Sequence, residues 1–416
     1  MIVALSRWLV TLLFGQIRVG RLTVVEGEQR RSFGRGAPAA TLVVRSNRFW
    51  PMMLRGSRGM AEAYAAGWWD SPDLVAVVRV AARNARTIDR VRAWLAPVRG
   101  PLVRARATLN RNTRTRSRRG IAAHYDLGNQ LFSRMLDPTM SYSCAVFDRP
   151  GMSLEQASVR KLELVCEKLA LGPGDRVLEI GTGWGAFAIY AAQTRGCHVT
   201  TTTISREQRE YAVEQVRRLG LQDRVRVLAQ DYRDLSGRYD KLVSIEMIEA
   251  VGWQHLGTFF SRCSRLLEPH GAMLLQAITI DDRAYEVEKA SRSFIKTHIF
   301  PGGCLPSLAV IARALGRRTD LQTVALHDIT SHYVPTLRAW REGFLTHAEE
   351  LDVLGYDQSF RRLWTLYLAY CEAGFAERRI CDVQLLLAKP HCRIADADAH
   401  EIYDTRAAVE AQTGSS

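Results

Sequence analysis

From Arg176 onward the chain alternates short apolar runs with amphipathic stretches. Arg176–Ile180, Cys197–Thr203 and Arg224–Ala229 have strand length and apolar character, and Gly185–Thr194 and Arg206–Leu219 between them carry helical spacing. Lys241–Ile245, Ala272–Ile278, Leu321–Leu326 and Val383–Ala388 are further runs of strand length. Strands apolar on both faces and separated by helices predict an α/β protein with a doubly wound sheet. Between Asp281 and Leu315 the pattern turns helical and aromatic-rich, an excursion placed like a lid over the carboxyl ends of the strands.

The region before this has a different pattern. Ile17–Glu26 and Ala40–Arg45 alternate like strands around a turn-rich stretch, and Met60–Ala66 and Leu74–Ala82 follow with helical spacing around a break at Gly67-Trp68-Trp69-Asp70. Residues 1–98 therefore predict a small α+β N-terminal domain, with Trp68 and Trp69 in its core. Met1–Phe14 is apolar but interrupted by Arg7, lacks a clean cleavage site after it, and falls short of the ~18 residues that span a bilayer. A helix packed on its own domain and a helix lying in a lipid interface both fit it.

Composition sharpens the picture at one place. The 416 residues carry a net charge of +14, and eight arginines crowd residues 99–120, where large apolar residues are few. That segment predicts a basic linker suited to an anionic membrane surface. Nucleic acid is not expected as a partner, because no aromatic-interleaved motif accompanies the charge. Residues 121–390 then form the α/β domain, and 391–416 a frayed tail. The eight cysteines are scattered without ligand spacing, so neither a disulfide framework nor a metal site is expected and a reducing cytoplasm is.

Candidate chemistry centres on Glu179-Ile180-Gly181-Thr182-Gly183-Trp184-Gly185, which joins the first apolar strand to its helix. A nicotinamide dinucleotide site wants G-x-G-x-x-G and an acid about 20 residues on. The spacing here is G-x-G-x-G, and the next strand ends in Thr201-Thr202-Thr203, with Gln208 as the nearby polar group. The loop looks instead like the S-adenosylmethionine site of class I methyltransferases, although the acid usual after the second strand is missing.

Further segments carry a sharper match: His124-Tyr125-Asp126-Leu127-Gly128-Asn129, Tyr142-Ser143-Cys144, Asp231-Tyr232-Arg233-Asp234, Glu246-Met247-Ile248-Glu249-Ala250-Val251-Gly252, Phe300-Pro301-Gly302-Gly303 and His332-Tyr333. In this order they resemble the cyclopropane-fatty-acyl-phospholipid synthase family, which includes mycolic acid cyclopropane synthases and methylene-forming fatty-acid methyltransferases. The resemblance runs from about His124 to Lys389. It implies methyl transfer from S-adenosylmethionine to the double bond of unsaturated phospholipid acyl chains, giving a carbocation that closes a cyclopropane by losing a proton. It also implies a homodimer working peripherally at the inner membrane face.

By motif match, Cys144, Glu249, Ile278 and Tyr333 fall on positions that hold a bicarbonate ion, the family's proton acceptor. Tyr142, Ser143, Glu179, Gly181, Gly183, Trp184, Thr203, Gln208, Asp231 and Tyr232 fall on or near cofactor positions. His124, Phe294, Ile299 and Phe300 are candidates for the acyl channel. One departure bears on the chemistry. Where the cyclopropane synthases have His in a Leu-His-Thr-Ile stretch, this chain reads Leu275-Gln276-Ala277-Ile278. Gln donates hydrogen bonds but does not titrate, which puts bicarbonate binding in doubt. It also brings forward the alternative products, methylene- or methyl-branched (tuberculostearate-type) or furan-precursor chains. A non-catalytic lipid- or adenosylmethionine-binding protein is the reading from a different class.

Overall fold

The computed structural model describes residues 1–85 and 127–393. His124, the basic linker and residues 394–416 lie outside the described residues.

Two sheets organise the chain. The first has the order β2-β1-β3-β4, from β1 (Gly20–Glu26), β2 (Gln29–Arg35), β3 (Ala39–Val44) and β4 (Trp69–Asp70). β1 buries Gly20, Leu22 and Val24 on one face, and β3 buries Ala40, Leu42 and Val44. The stretch read as turn-rich contains β2, whose residues are exposed on both faces apart from the half-buried Phe33. Such an edge strand has no alternation to announce it.

The second sheet has seven strands in the order β10-β11-β9-β8-β5-β6-β7. They are β5 (Arg176–Ile180), β6 (His198–Thr202), β7 (Val225–Leu228), β8 (Tyr239–Ile245), β9 (Leu267–Ile280), β10 (Gln322–Asp328) and β11 (Ile380–Ala388). β5 to β9 run parallel, and β11 is antiparallel to both β9 and β10. The chain leaves β5 towards β6 on one side and returns to β8 on the other. That reversal opens a crevice at the carboxyl ends of β5 and β8, where an α/β sheet binds its ligand. The helices around it start at side-chain caps: Ser153 and Gln156 form a reciprocal capping box, and Ser205 and Asp357 accept from the backbone N–H three residues on.

The two sheets share a core. The helix Leu74–Arg83 and the helix Ser57–Ala65 pack on the long helix Gln358–Ala376. Arg79 and Arg83 both pair with Glu377 at 2.7 Å, and the Arg362 guanidinium donates to the Tyr64 and Trp69 carbonyls and lies over the Tyr64 ring at 4.0 Å. Trp69 is fully buried in this core, together with Trp364, Trp340 and Tyr333. Trp68 is only partly buried against it.

The excursion after β9 holds the helix Tyr285–Ala290, a π-helical turn over Ile295–Ile299 and the helix Leu308–Arg318. No helix among the described residues is long and apolar enough to cross a membrane.

Candidate active site

The strand–loop–helix unit after β5 makes the first wall. Gly181, Gly183 and Gly185 all have positive φ (107°, 52° and 97°), which an L side chain adopts only with strain. A Cβ on Gly181 would stand 3.2 Å from Met247, and one on Gly185 would stand 3.2 Å from Ala212. The loop therefore turns tightly and leaves its backbone bare to the crevice. The cavity there has about 1190 Å³ of space, its open mouth included. All ten residues expected around the cofactor line it: Tyr142, Ser143, Glu179, Gly181, Gly183, Trp184, Thr203, Gln208, Asp231 and Tyr232.

Their partners hold them in place. The Thr203 hydroxyl donates to Gln208 Oε1 at 2.9 Å, and Arg233 grips both oxygens of Asp231 at 2.8 and 2.6 Å. The Thr201 hydroxyl donates to Glu179 Oε2 at 2.5 Å, and burial pushes the Glu179 carboxyl up to about 8. Trp184 donates its indole N–H to Asn129 at 2.7 Å, and its ring packs on Phe132 at 4.7 Å. The Tyr142 ring lies 5.0 Å from Trp340 and its hydroxyl 2.7 Å from that of Tyr367.

Three of the expected catalytic residues, Cys144, Gln276 and Tyr333, converge on a group that the sequence reading passed over. Glu246, just past the end of β8, lines the cavity. Its Oε1 accepts from the Cys144 backbone N–H at 2.8 Å and from Gln276 Nε2 at 2.7 Å, and its Oε2 accepts from the Tyr333 hydroxyl at 2.5 Å. The other Gln276 contacts run to Asp382 Oδ2 at 3.0 Å and to Gln384, its partner across β9 and β11, at 3.0 Å. Tyr333 is stacked on Phe375 at 4.2 Å, which fixes its ring. Glu249 and Ile278 form a neighbouring pair: Glu249 Oε1 accepts the Ile278 backbone N–H at 2.6 Å, while its buried Oε2 has no partner.

Withdrawal from water dominates the electrostatics. Burial, then the charge of Glu246, pushes the Glu249 carboxyl up to about 8, so it holds its proton at neutral pH. Asp382 is fully buried, and burial with the nearby Glu246 charge drives its carboxyl well above the usual range. Asp382 Oδ1 is buried without a hydrogen-bond partner. On Glu246, three donors and the attraction of buried Lys161 oppose the upward push of burial. Lys161 donates to Ser143 at 2.9 Å, and burial pulls its ammonium down.

Cys144 takes part through its backbone. Its side chain is fully buried, and burial drives the thiol well above its ordinary value, away from the thiolate a nucleophile needs. Cys144→Ala is expected to keep turnover within about tenfold, and thiol reagents should leave Cys144 unlabelled in the native protein, as peptide mapping would read.

The channel candidates lie off this cavity. Phe294 meets Tyr370 edge-on at 5.1 Å and Phe300 meets Tyr367 at 6.0 Å, so the excursion reaches the cavity wall through the Tyr367–Tyr142 hydroxyl pair. Ile299 is buried in the same core.

A seven-stranded sheet with this order, a glycine loop after its first strand and a cavity at its switch point define a class I S-adenosylmethionine-dependent methyltransferase. Residues 112–385 match the family model for mycolic acid cyclopropane synthetase, and the chain belongs to that family. It is 40% identical over 328 residues to the tuberculostearic acid methyltransferase of Mycobacterium tuberculosis, covering 77% of this chain and 76% of that one. It is 38% identical over 355 residues to the cyclopropane-fatty-acyl-phospholipid synthase of Escherichia coli, covering 84% and 87%. Among solved structures, a cyclopropane synthase of M. tuberculosis superposes with a TM-score of 0.62 at 30% identity, covering 65% of this chain and 98% of that one. A mycolic acid cyclopropane synthase complexed with SAH and CTAB gives 0.61 at 30% identity, with the same coverage. The protein is an S-adenosylmethionine-dependent lipid methyltransferase.

Proposed function

We propose that the protein transfers a methyl group from S-adenosylmethionine to the double bond of an unsaturated phospholipid acyl chain. The observation that carries this reading is a single cavity that joins the glycine loop to aromatic faces, Tyr142 and Trp184, and to the enclosed Glu246 carboxylate. Bound adenosylmethionine supplies a methyl on a sulfonium, already activated for transfer. The chain's own work is then to align a weak alkene nucleophile, exclude water and stabilise a cation. The loop backbone with Thr203 and Gln208 suits the first task on the cofactor side. Tyr142 and Trp184 offer ring faces to positive charge. Phe294, Ile299 and Phe300 supply an apolar flank next to Tyr367.

Loss of a proton from the transferred methyl closes a cyclopropane. A second reading is supported by Gln276, which stands where the ring-forming relatives have His: a hydride shift precedes proton loss and leaves a methylene branch. Incubation with 13C-methyl-labelled cofactor and vesicles of monounsaturated phospholipid, followed by NMR of the released acyl chains, separates the two. Label in a ring methylene supports the first and label in an exocyclic methylene the second. Absence of label from the lipid contradicts both.

Peripheral attachment to an anionic membrane is part of the same proposal. The helix Ile2–Phe14 is amphipathic the wrong way round for a solvated surface: it buries Ser6 and Val10 and exposes Ile2, Leu5, Trp8, Leu9 and Leu12. Arg7, its one charged residue, is held inward to Glu26 at 2.5 Å. Such a stripe suits the headgroup–acyl boundary. A groove lined by Arg262, Arg265, Arg313, Arg317 and Arg318 shares Arg233 with the cofactor cavity and brings positive charge beside it. Leu5→Glu with Leu9→Glu is expected to weaken binding to anionic vesicles by at least about tenfold in flotation, since each buried leucine contributes about 1.5–3 kcal/mol. Unchanged flotation would remove this helix from the proposal.

A further inference from the structure

The resemblance implies a bicarbonate held by Cys144, Glu249, Ile278 and Tyr333, and the residues present do not fit one. The Cys144 N–H and the Tyr333 hydroxyl are both committed to the Glu246 carboxylate, and so is the Gln276 amide that replaces the family's His. The Ile278 N–H is committed to Glu249. An added anion would find these donors occupied and two carboxyl groups facing it. A side-chain carboxylate and a bicarbonate present the same planar O–C–O edge to their donors, so the chain fills the anion's place with one of its own residues.

Three features single out Glu246 within this cluster. It lines the cavity, whereas Glu249, Asp382, Gln276 and Tyr333 are not among the lining residues. Three hydrogen bonds and the charge of Lys161 favour its ionised form against the upward push of burial, whereas Glu249 Oε2 and Asp382 Oδ1 are buried without a partner. It also sits at φ 48°, a left-handed conformation that costs a non-glycine residue energy and persists where the surroundings enforce it.

We propose that Glu246 is the proton acceptor of the methyl-transfer reaction, its carboxylate standing in for a bicarbonate ion. The proposal rests on the acyl-methylation reading above and is indifferent to which product forms. The alkene π pair forms the new C–C bond as the methyl–sulfur bond breaks, leaving S-adenosylhomocysteine and a carbocation. A C–H bond of the transferred methyl then breaks, directly for the ring, or after a 1,2-hydride shift from the methyl-bearing carbon onto the cationic carbon for the branch. Its electron pair becomes the ring C–C bond or the methylene π bond, and its proton goes to a Glu246 oxygen. The proton leaves to water when the cavity opens, and no oxidant or reductant is consumed.

The test compares the full-length wild type with Glu246→Gln and Glu246→Gly, in bicarbonate-free buffer, on monounsaturated phospholipid vesicles. Glu246→Gln keeps the size of the group and loses its basicity; product formation is expected to fall by about 10²–10⁴-fold. Calorimetric affinity for adenosylmethionine should stay within a few-fold, which also establishes that the variant folds. Glu246→Gly suits the left-handed backbone and opens the donors to solution anions, so added formate or bicarbonate should restore activity by tenfold or more. The wild type should turn over without bicarbonate. A fully active Glu246→Gln, a wild type that requires bicarbonate, or a cofactor-binding Glu246→Gly that no anion rescues would overturn the proposal while leaving acyl methylation standing. A wild type that makes no product removes both.

Discussion

Tyr333→Phe is expected to lower turnover by about 10–100-fold and to move the acid limb of the pH–rate profile to higher pH. The hydroxyl at 2.5 Å from Glu246 Oε2 is a donor to an ionised acceptor, a bond that contributes about 1.5–3 kcal/mol. Phe keeps the stack on Phe375, so the change is confined to the bond. The sign follows from the role of the carboxylate. A base works only when deprotonated, so activity falls as pH drops through its pKa. Desolvation already raises that pKa, and the hydrogen bond from Tyr333 opposes the rise, as do those from Cys144 and Gln276 and the charge of Lys161. Removing the Tyr333 donor lets the Glu246 pKa climb, and activity is lost at a higher pH than in the wild type. A positioning role limited to packing would leave the profile in place. Affinity for adenosylmethionine, measured by calorimetry, should not change.

The second large effect is expected at the glycine loop. Gly181→Ala places a Cβ at φ 107° and 3.2 Å from Met247. A non-glycine residue held in such a region costs about 1–3 kcal/mol. The loop can shed that strain by turning away from the crevice, and in doing so it gives up the close approach that lets a ligand reach the strand end. Affinity for adenosylmethionine should therefore fall by about 10–100-fold, because 1.4 kcal/mol corresponds to tenfold. The thermal midpoint should shift only modestly, since β5 and its neighbours keep their pairing. Calorimetry and a thermal melt on the same sample separate the two effects. Undiminished affinity would show that the loop backbone is not the cofactor wall.

The central parallel strand β5 was legible because it is buried on both faces, and its run Val177-Leu178-Glu179-Ile180 is apolar nearly throughout. The glycine loop was legible from its spacing, and the convergence of Cys144, Gln276 and Tyr333 from the ordered motifs they sit in. Two kinds of feature escaped. β2 carries polar residues on both faces because it is an exposed edge, so its pairing with β1 left no periodic trace. Charged groups that the fold buries also escaped. Lys161 sits on a helix that a linear reading would give to solvent, yet its side chain is fully enclosed. Asp382 occupies β11 just before the run read as its strand, and it pairs across to Ile278 of β9. Glu246 stood in plain view inside a quoted motif. Its signal was positional: an acid directly after Leu242-Val243-Ser244-Ile245, at the carboxyl end of a strand flanking the switch point. Its φ and its three donors exist only once three distant segments have folded together, which no local pattern records.

Transfer of label from methyl-labelled adenosylmethionine to phospholipid vesicles tests the central claim most directly, with monounsaturated and fully saturated acyl chains run side by side and the intact lipids read by mass spectrometry. The account predicts that the unsaturated phospholipid gains one CH2 unit carrying the label while the saturated one gains none. Equal labelling of both, or labelling of the headgroup in place of the acyl chain, would contradict it.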